Sequence, residues 1–173
     1  MKKDPKLKVF NALEPIQFGS TSLSITSNEL FRTKGLPFCF NALIFGEYNI
    51  TIIGYHETIQ STKLKSVYVF ANDVFIMGEY AFTGIDKIGS QNILKTLIKK
   101  YISDSIENID KFFIKDKNNN HIYFADNGFE ISVKYFLLED TKAKEIYSVF
   151  SNSVLKSDEI NHDAINSKLT EMF

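Results

Sequence analysis

Tryptophan is missing from the 173 residues, arginine occurs once, at position 32, and cysteine once, at position 39. Each scarcity excludes something. A single cysteine rules out an intrachain disulfide, and its place in the apolar run PFCFNALIF predicts a buried, inert thiol. A catalytic role for Cys39 would require a nearby base and a depressed pKa, and the sequence offers neither. Apart from Arg32 the basic charge is all lysine, which lacks the planar fork that reads phosphates and guanines in bidentate fashion. Net charge is −1, from 20 basic and 21 acidic residues, so no electrostatic footprint for nucleic acid is expected. Heavy use of Lys, Ile, Asn and Phe in place of Arg and Ala is also what an A/T-rich gene produces.

Motifs are scarce as well. Neither G-x-G-x-x-G nor G-x-x-x-x-G-K-[ST] occurs, and GSTS at Gly19 lacks the strand–turn–helix setting of a nucleophile elbow. The glycines of TGIDKIGSQN (Thr83–Asn92) precede a helix start, where they let the chain leave the sheet. No apolar h-region follows MKKDPKLKVF, and the longest apolar region, Leu36–Tyr55, is broken by Asn41, Gly46, Glu47 and Asn49. It falls short of the roughly 20 apolar residues of a membrane span. The expectation is a cytoplasmic chain that needs no membrane, cofactor or metal.

What is present argues for sheet. Aromatics make up 14% of the chain and the hydrophobic fraction is 44%, enough to build a core without a disulfide or metal. PFCFNALIF, YNITIIGYH, KSVYVFA and VFIMGEYAF read as strands of an antiparallel meander, with Asn72-Asp73 as a tight hairpin turn. A second group, KFFIKD, HIYFAD and GFEISVKYFLL, is separated by KNNN and by Asp126-Asn127-Gly128. Between the groups Ile93, Leu94, Leu97, Ile98, Tyr101 and Ile102 recur at helical spacing, with Ser90 as the predicted cap. The lysines on the other side of that helix, Lys95, Lys99 and Lys100, are expected to form a solvated face.

After Asp140 the stripe Ala143, Ile146, Val149, Phe150, Val154 predicts a helix. Ser157 or Asp158 is expected to start another, with Ile160, Ala164, Ile165 and Leu169 inward. Leu7–Phe18 predicts a short edge strand, followed by an irregular stretch. The expected fold is a single α+β domain over 1–173, mainly antiparallel sheet in two strand groups flanking one helix. Residues 1–36 are the less regular part and 140–173 the C-terminal helices packed on the sheet.

Gly-Glu-Tyr occurs twice, at Gly46–Tyr48 and Gly78–Tyr80. A working carboxylate pair would need both glutamates in one cleft. A strand from Pro37 to Tyr55 would be too long, so Gly46-Glu47 is expected to form a turn or bulge, whereas Glu79 lies mid-strand. Along that strand Glu79 is expected to share a face with Phe75 and Met77. Glu159 and His162 have the i, i+3 spacing of carboxylate-bridged metal bundles but lack a second such pair. Asp116, Asn118 and Asn120 imitate a calcium loop, yet His121 replaces its glycine and Asn127 its final glutamate, so a hairpin turn is expected.

Three functions remain. The leading expectation is a non-catalytic protein that binds one protein partner, such as an immunity or antitoxin-like inhibitor. Exposed aromatics, or acidic C-terminal helices, would supply its contacts. The second is a small enzyme or ligand-binding domain with a sheet–helix pocket, using His56 of GYHET with Glu57 or Glu79. The third is a structural subunit of an assembly.

Overall fold

The computed structural model describes residues 7–59, 61–103, 106 and 109–158, with side chains described only as far as 149. Two hairpins build the first half. Strands β2 (Cys39–Phe45) and β3 (Tyr48–Ile59) meet at Gly46-Glu47, where Gly46 takes φ 59°. That is the glycine-first two-residue loop whose twist suits paired strands. Strands β4 (Thr62–Ala71) and β5 (Val74–Thr83) meet at Asn72-Asp73, with φ 47° and 62°. Both turns fall where the sequence places them.

Helix α2 (Lys87–Tyr101) then carries the chain to β6 (Lys111–Lys115), β7 (His121–Asp126) and β8 (Glu130–Phe136). The two strand groups are one sheet. β8 returns to pair antiparallel with β5, and β1 (Lys8–Asn11) pairs parallel with β6, giving the order β1-β6-β7-β8-β5-β4-β3-β2. With three helices beside this sheet among the described residues, the fold is α+β and mostly antiparallel, as expected.

Alternation sorts the side chains into two cores. On one face Ile53, Tyr68, Phe70, Phe112, Ile122 and Val133 lie under α2 and under Ile16 and Phe18 of the N-terminal segment. On the other, Ile50, Ile52, Val69 and Met77 meet Ala143 and Ile146 of α3 (Thr141–Asp158).

Several expectations are corrected. SNELFRTK is helix α1 (Ser27–Lys34), not irregular chain. Thr26 and Glu29 form a reciprocal capping box there, and Asp73 Oδ1 accepts the Ser27 N–H at 2.9 Å. Asp86, not Ser90, caps α2, accepting the Gly89 N–H at 2.8 Å; the Ser90 hydroxyl donates to Asp126 instead. The β4–β5 register shifts between Val69 and Phe70 of β4, so Ile76 of β5 is an extra residue facing no partner. The bulge moves Phe75 onto the α2 core while Met77 stays on the α3 side, so Phe75 does not share a face with Glu79.

Ser157 and Asp158 lie within α3 and are the last described residues, so the helix expected to start there falls outside the described part. Within its bounds α3 carries three lysines against Glu145 and Asp158, so this helix is not acidic. Val149 of its expected stripe is exposed. The proposed inward positions Ile160, Ala164, Ile165 and Leu169 lie outside the described residues, as do Glu159 and His162.

Candidate functional site

Apart from Glu159 and His162, the residues singled out for chemistry lie among the described residues, and most are not brought together. β3 extends to Ile59, so Tyr55, His56 and Glu57 lie within a strand and alternate faces. His56 is on the α3 side, exposed, with its ring stacked on Phe38 at 4.1 Å. Glu57 points to the α2 side. There it pairs with Lys34 Nζ at 2.6 Å and accepts the Ser66 hydroxyl. Burial disfavours the Glu57 carboxylate. The hydrogen bonds from Lys34 and Ser66, with the lysine charge, outweigh that and hold its pKa below the usual range. The pair ties α1 to β3 and β4, and Lys34 also lies over the rings of Tyr55 and Tyr68.

Glu79 is on the α3 side with His56, but one strand lies between theirs, a lateral gap of roughly 10 Å. Its carboxylate is buried, accepts the Ser132 hydroxyl at 2.5 Å, and has Lys134 as its cross-strand neighbour. Glu47 sits in the β2–β3 turn. The Gly-Glu-Tyr echo is therefore one turn and one mid-strand segment, not a carboxylate pair.

The calcium-like run is the β6–β7 turn. Asp116 Oδ1 accepts from the N–H groups of Asn118 and Asn120, and Oδ2 accepts from that of Ile16. Beside this turn His121 stacks on Phe136 and meets Tyr147 edge-on. Burial lowers its pKa, Lys115 adds to that, and the Asn119 backbone and Asp116 oppose it. A neutral imidazole is thus favoured in the fold, while the unfolded chain protonates near pH 6.5. Between that pH and the lower folded value the unfolded state binds the extra proton, so stability falls as pH drops through this window. Urea titrations of wild type and His121→Gln should give a difference that narrows from pH 7.5 to 5.5. A pH-independent difference would contradict it.

The feature that stands out lies at the sheet's end. β2 is an outer strand, and within CFNALIF it carries no charge and no proline. These are the usual devices that keep edges from pairing. The opposite edge, β1, is four residues long and contains Lys8. A two-residue loop closes on a hydrogen-bonded pair, here Phe45 with Tyr48, so Phe45, Leu43 and Asn41 bond to β3. Phe40, Ala42 and Ile44 accordingly aim their N–H and C=O groups away from the sheet.

Around that edge, Leu36 is 95% exposed, Ile44 77%, Phe40 56% and Phe38 47%. Cys39 is exposed too, because β2 has no outer neighbour among the described residues, which corrects the expectation of a buried thiol. On the α3 side a cleft of about 280 Å³ runs inward from Phe38, Cys39 and Asn41 to Glu79. Composition could have flagged the uncharged strand; only the strand order shows that it is an edge. No helix among the described residues is long and apolar enough to cross a membrane. No family model, curated protein or solved structure matches the chain.

Proposed function

We propose that this is a non-catalytic protein-binding protein, and that its partner adds an extended strand to β2. The observation that carries this reading is the seven-residue, uncharged outer strand flanked by exposed Leu36, Phe38, Phe40 and Ile44. In strand addition the outward main-chain groups supply affinity and the flanking side chains supply specificity. Aromatic anchors of this kind concentrate binding energy. An immunity or antitoxin-like inhibitor is the form we favour, a small chain whose task is to occupy another protein's working surface. The enzyme alternative, His56 with Glu57 or Glu79, is weaker because His56 and Glu57 face opposite sides of the sheet and Glu79, one strand removed from that of His56, is engaged by Ser132.

The test is capture from the native host lysate with the tagged full-length chain. One protein should be retained at stoichiometric yield. Ile44→Lys puts a charge on the exposed edge without touching a buried group, and should weaken retention at least about tenfold. Ile88→Lys, also well exposed but on α2, should leave it unchanged. A partner that binds both variants like wild type would sink the strand-addition reading.

A further inference from the structure

We infer that in the free protein the β2 edge is closed by a second copy of this chain, through antiparallel β2–β2 pairing about a twofold axis at Ala42. The inference rests on the same reading of the edge as the proposed function, but commits to a different occupant and a register. The outward-facing residues are Phe40, Ala42 and Ile44. Only a register centred on Ala42 places all three opposite an outward-facing residue of the second copy. Phe40 then meets Ile44, Ala42 meets Ala42, and Ile44 meets Phe40.

Side chains agree with that register. Phe40 and Ile44 lie on the same face, that of α2, so each exposed one would cover the other across the axis. On the α3 side Asn41 meets Leu43 and Cys39 meets Phe45. No charged residue of β2 meets another. Beyond the strand ends Phe38 would lie over Gly46, which has no side chain to obstruct it. The exposed parts of Leu36, Phe38, Phe40 and Ile44 with the edge backbone come to roughly 500 Å² per copy, about 1,000 Å² for the pair. That is the lower end of specific interfaces, suited to a dimer that a tighter partner can displace. Such a contact is isologous, closes on itself, and leaves only the short β1 edges at the ends of a continuous sixteen-stranded sheet.

Two measurements test this on the full chain. Sedimentation equilibrium from low to high micromolar concentration should show wild type passing from monomer to dimer. Ala42→Lys sets like charges against each other at the axis and should raise the dimer dissociation constant at least about tenfold. In a Cys39→Ser background, Ala42→Cys should oxidise to a covalent dimer, since directly paired residues stand about 4.5–5.5 Å apart. Ile44→Cys in that background should not, because the two copies of position 44 are separated by roughly 13 Å. A chain that stays monomeric throughout overturns the dimer while leaving the captured partner and its Ile44→Lys sensitivity to stand or fall alone. A dimer indifferent to Ala42→Lys, or cross-linking as readily at 44 as at 42, overturns the proposed interface.

Discussion

Phe18→Ala is expected to destabilise the protein by about 3–5 kcal/mol, the range for removing a fully buried phenylalanine. Phe18 belongs to no strand or helix, yet its ring sits at the centre of the α2-side core. Tyr80 lies 4.5 Å from it, Tyr68 5.2 Å and Tyr135 5.3 Å, centroid to centroid. Beneath it is Gly78, where a Cβ would come within 2.4 Å of the ring, so the strand is shaped to admit this side chain. Three tyrosines anchored on different strands cannot all close the space that alanine would leave. For a chain of this length the melting temperature should fall by roughly 6–20 °C. Urea denaturation with an unchanged m-value would give the figure directly. A loss below about 1 kcal/mol would mean that the N-terminal segment does not hold its ring in the core.

Asp116→Ala should cost nearly as much, about 3–4 kcal/mol. The reason is polar. Its buried carboxylate accepts backbone N–H bonds from Ile16 at 2.9 Å, Asn118 at 2.8 Å and Asn120 at 2.9 Å. The Asn120 amide reaches Oδ2 at 3.2 Å. Alanine leaves the three backbone donors without this acceptor, the Ile16 N–H among them in a buried setting, while the Asn120 amide keeps Glu139. Asp116→Asn should recover only part of the loss, because one oxygen becomes a donor aimed at donors. Hydrogen exchange separates this from a general loosening: the Ile16 amide should lose protection beyond the global change. Unchanged protection there would refute the assignment of Asp116 as the anchor of the N-terminal segment.

What could be read in the sequence was local. Asn72-Asp73 and Asp126-Asn127-Gly128 announced their turns because few residues tolerate such backbone angles. α2 and α3 announced themselves by apolar spacing. α1 was missed for want of an apolar stripe, since only Leu30 of its eight residues is buried. Its signal was the Thr26…Glu29 capping box. The bulge at Ile76 left no trace in composition, and it moved Phe75 to the other face. Strand order was out of reach, because the β5–β8 pairing joins Thr83 to Glu130 and no short-range pattern records that. The candidate site inherits this limit. The uncharged strand CFNALIF was visible, but its lack of an outer neighbour among the described residues follows only from the strand order. His56 and Glu57, by contrast, were separable in advance: neighbours in any strand point to opposite faces.

The pairing of β1 with β6 has a consequence for synthesis. Lys8 finds its partner in Phe112, and the Ile16 N–H finds its acceptor in Asp116. As the chain leaves the ribosome, the first strand therefore waits for a hundred further residues, roughly 5–20 s at ordinary elongation rates. The meander β2–β5 can close during that interval, but Phe18 has neither its anchoring turn nor Tyr135 beside it. A segment made before the meander is thus among the last to lock, and for those seconds the nascent chain carries two unpaired apolar surfaces at once: the core-bound Phe18 segment and the open flank of β2.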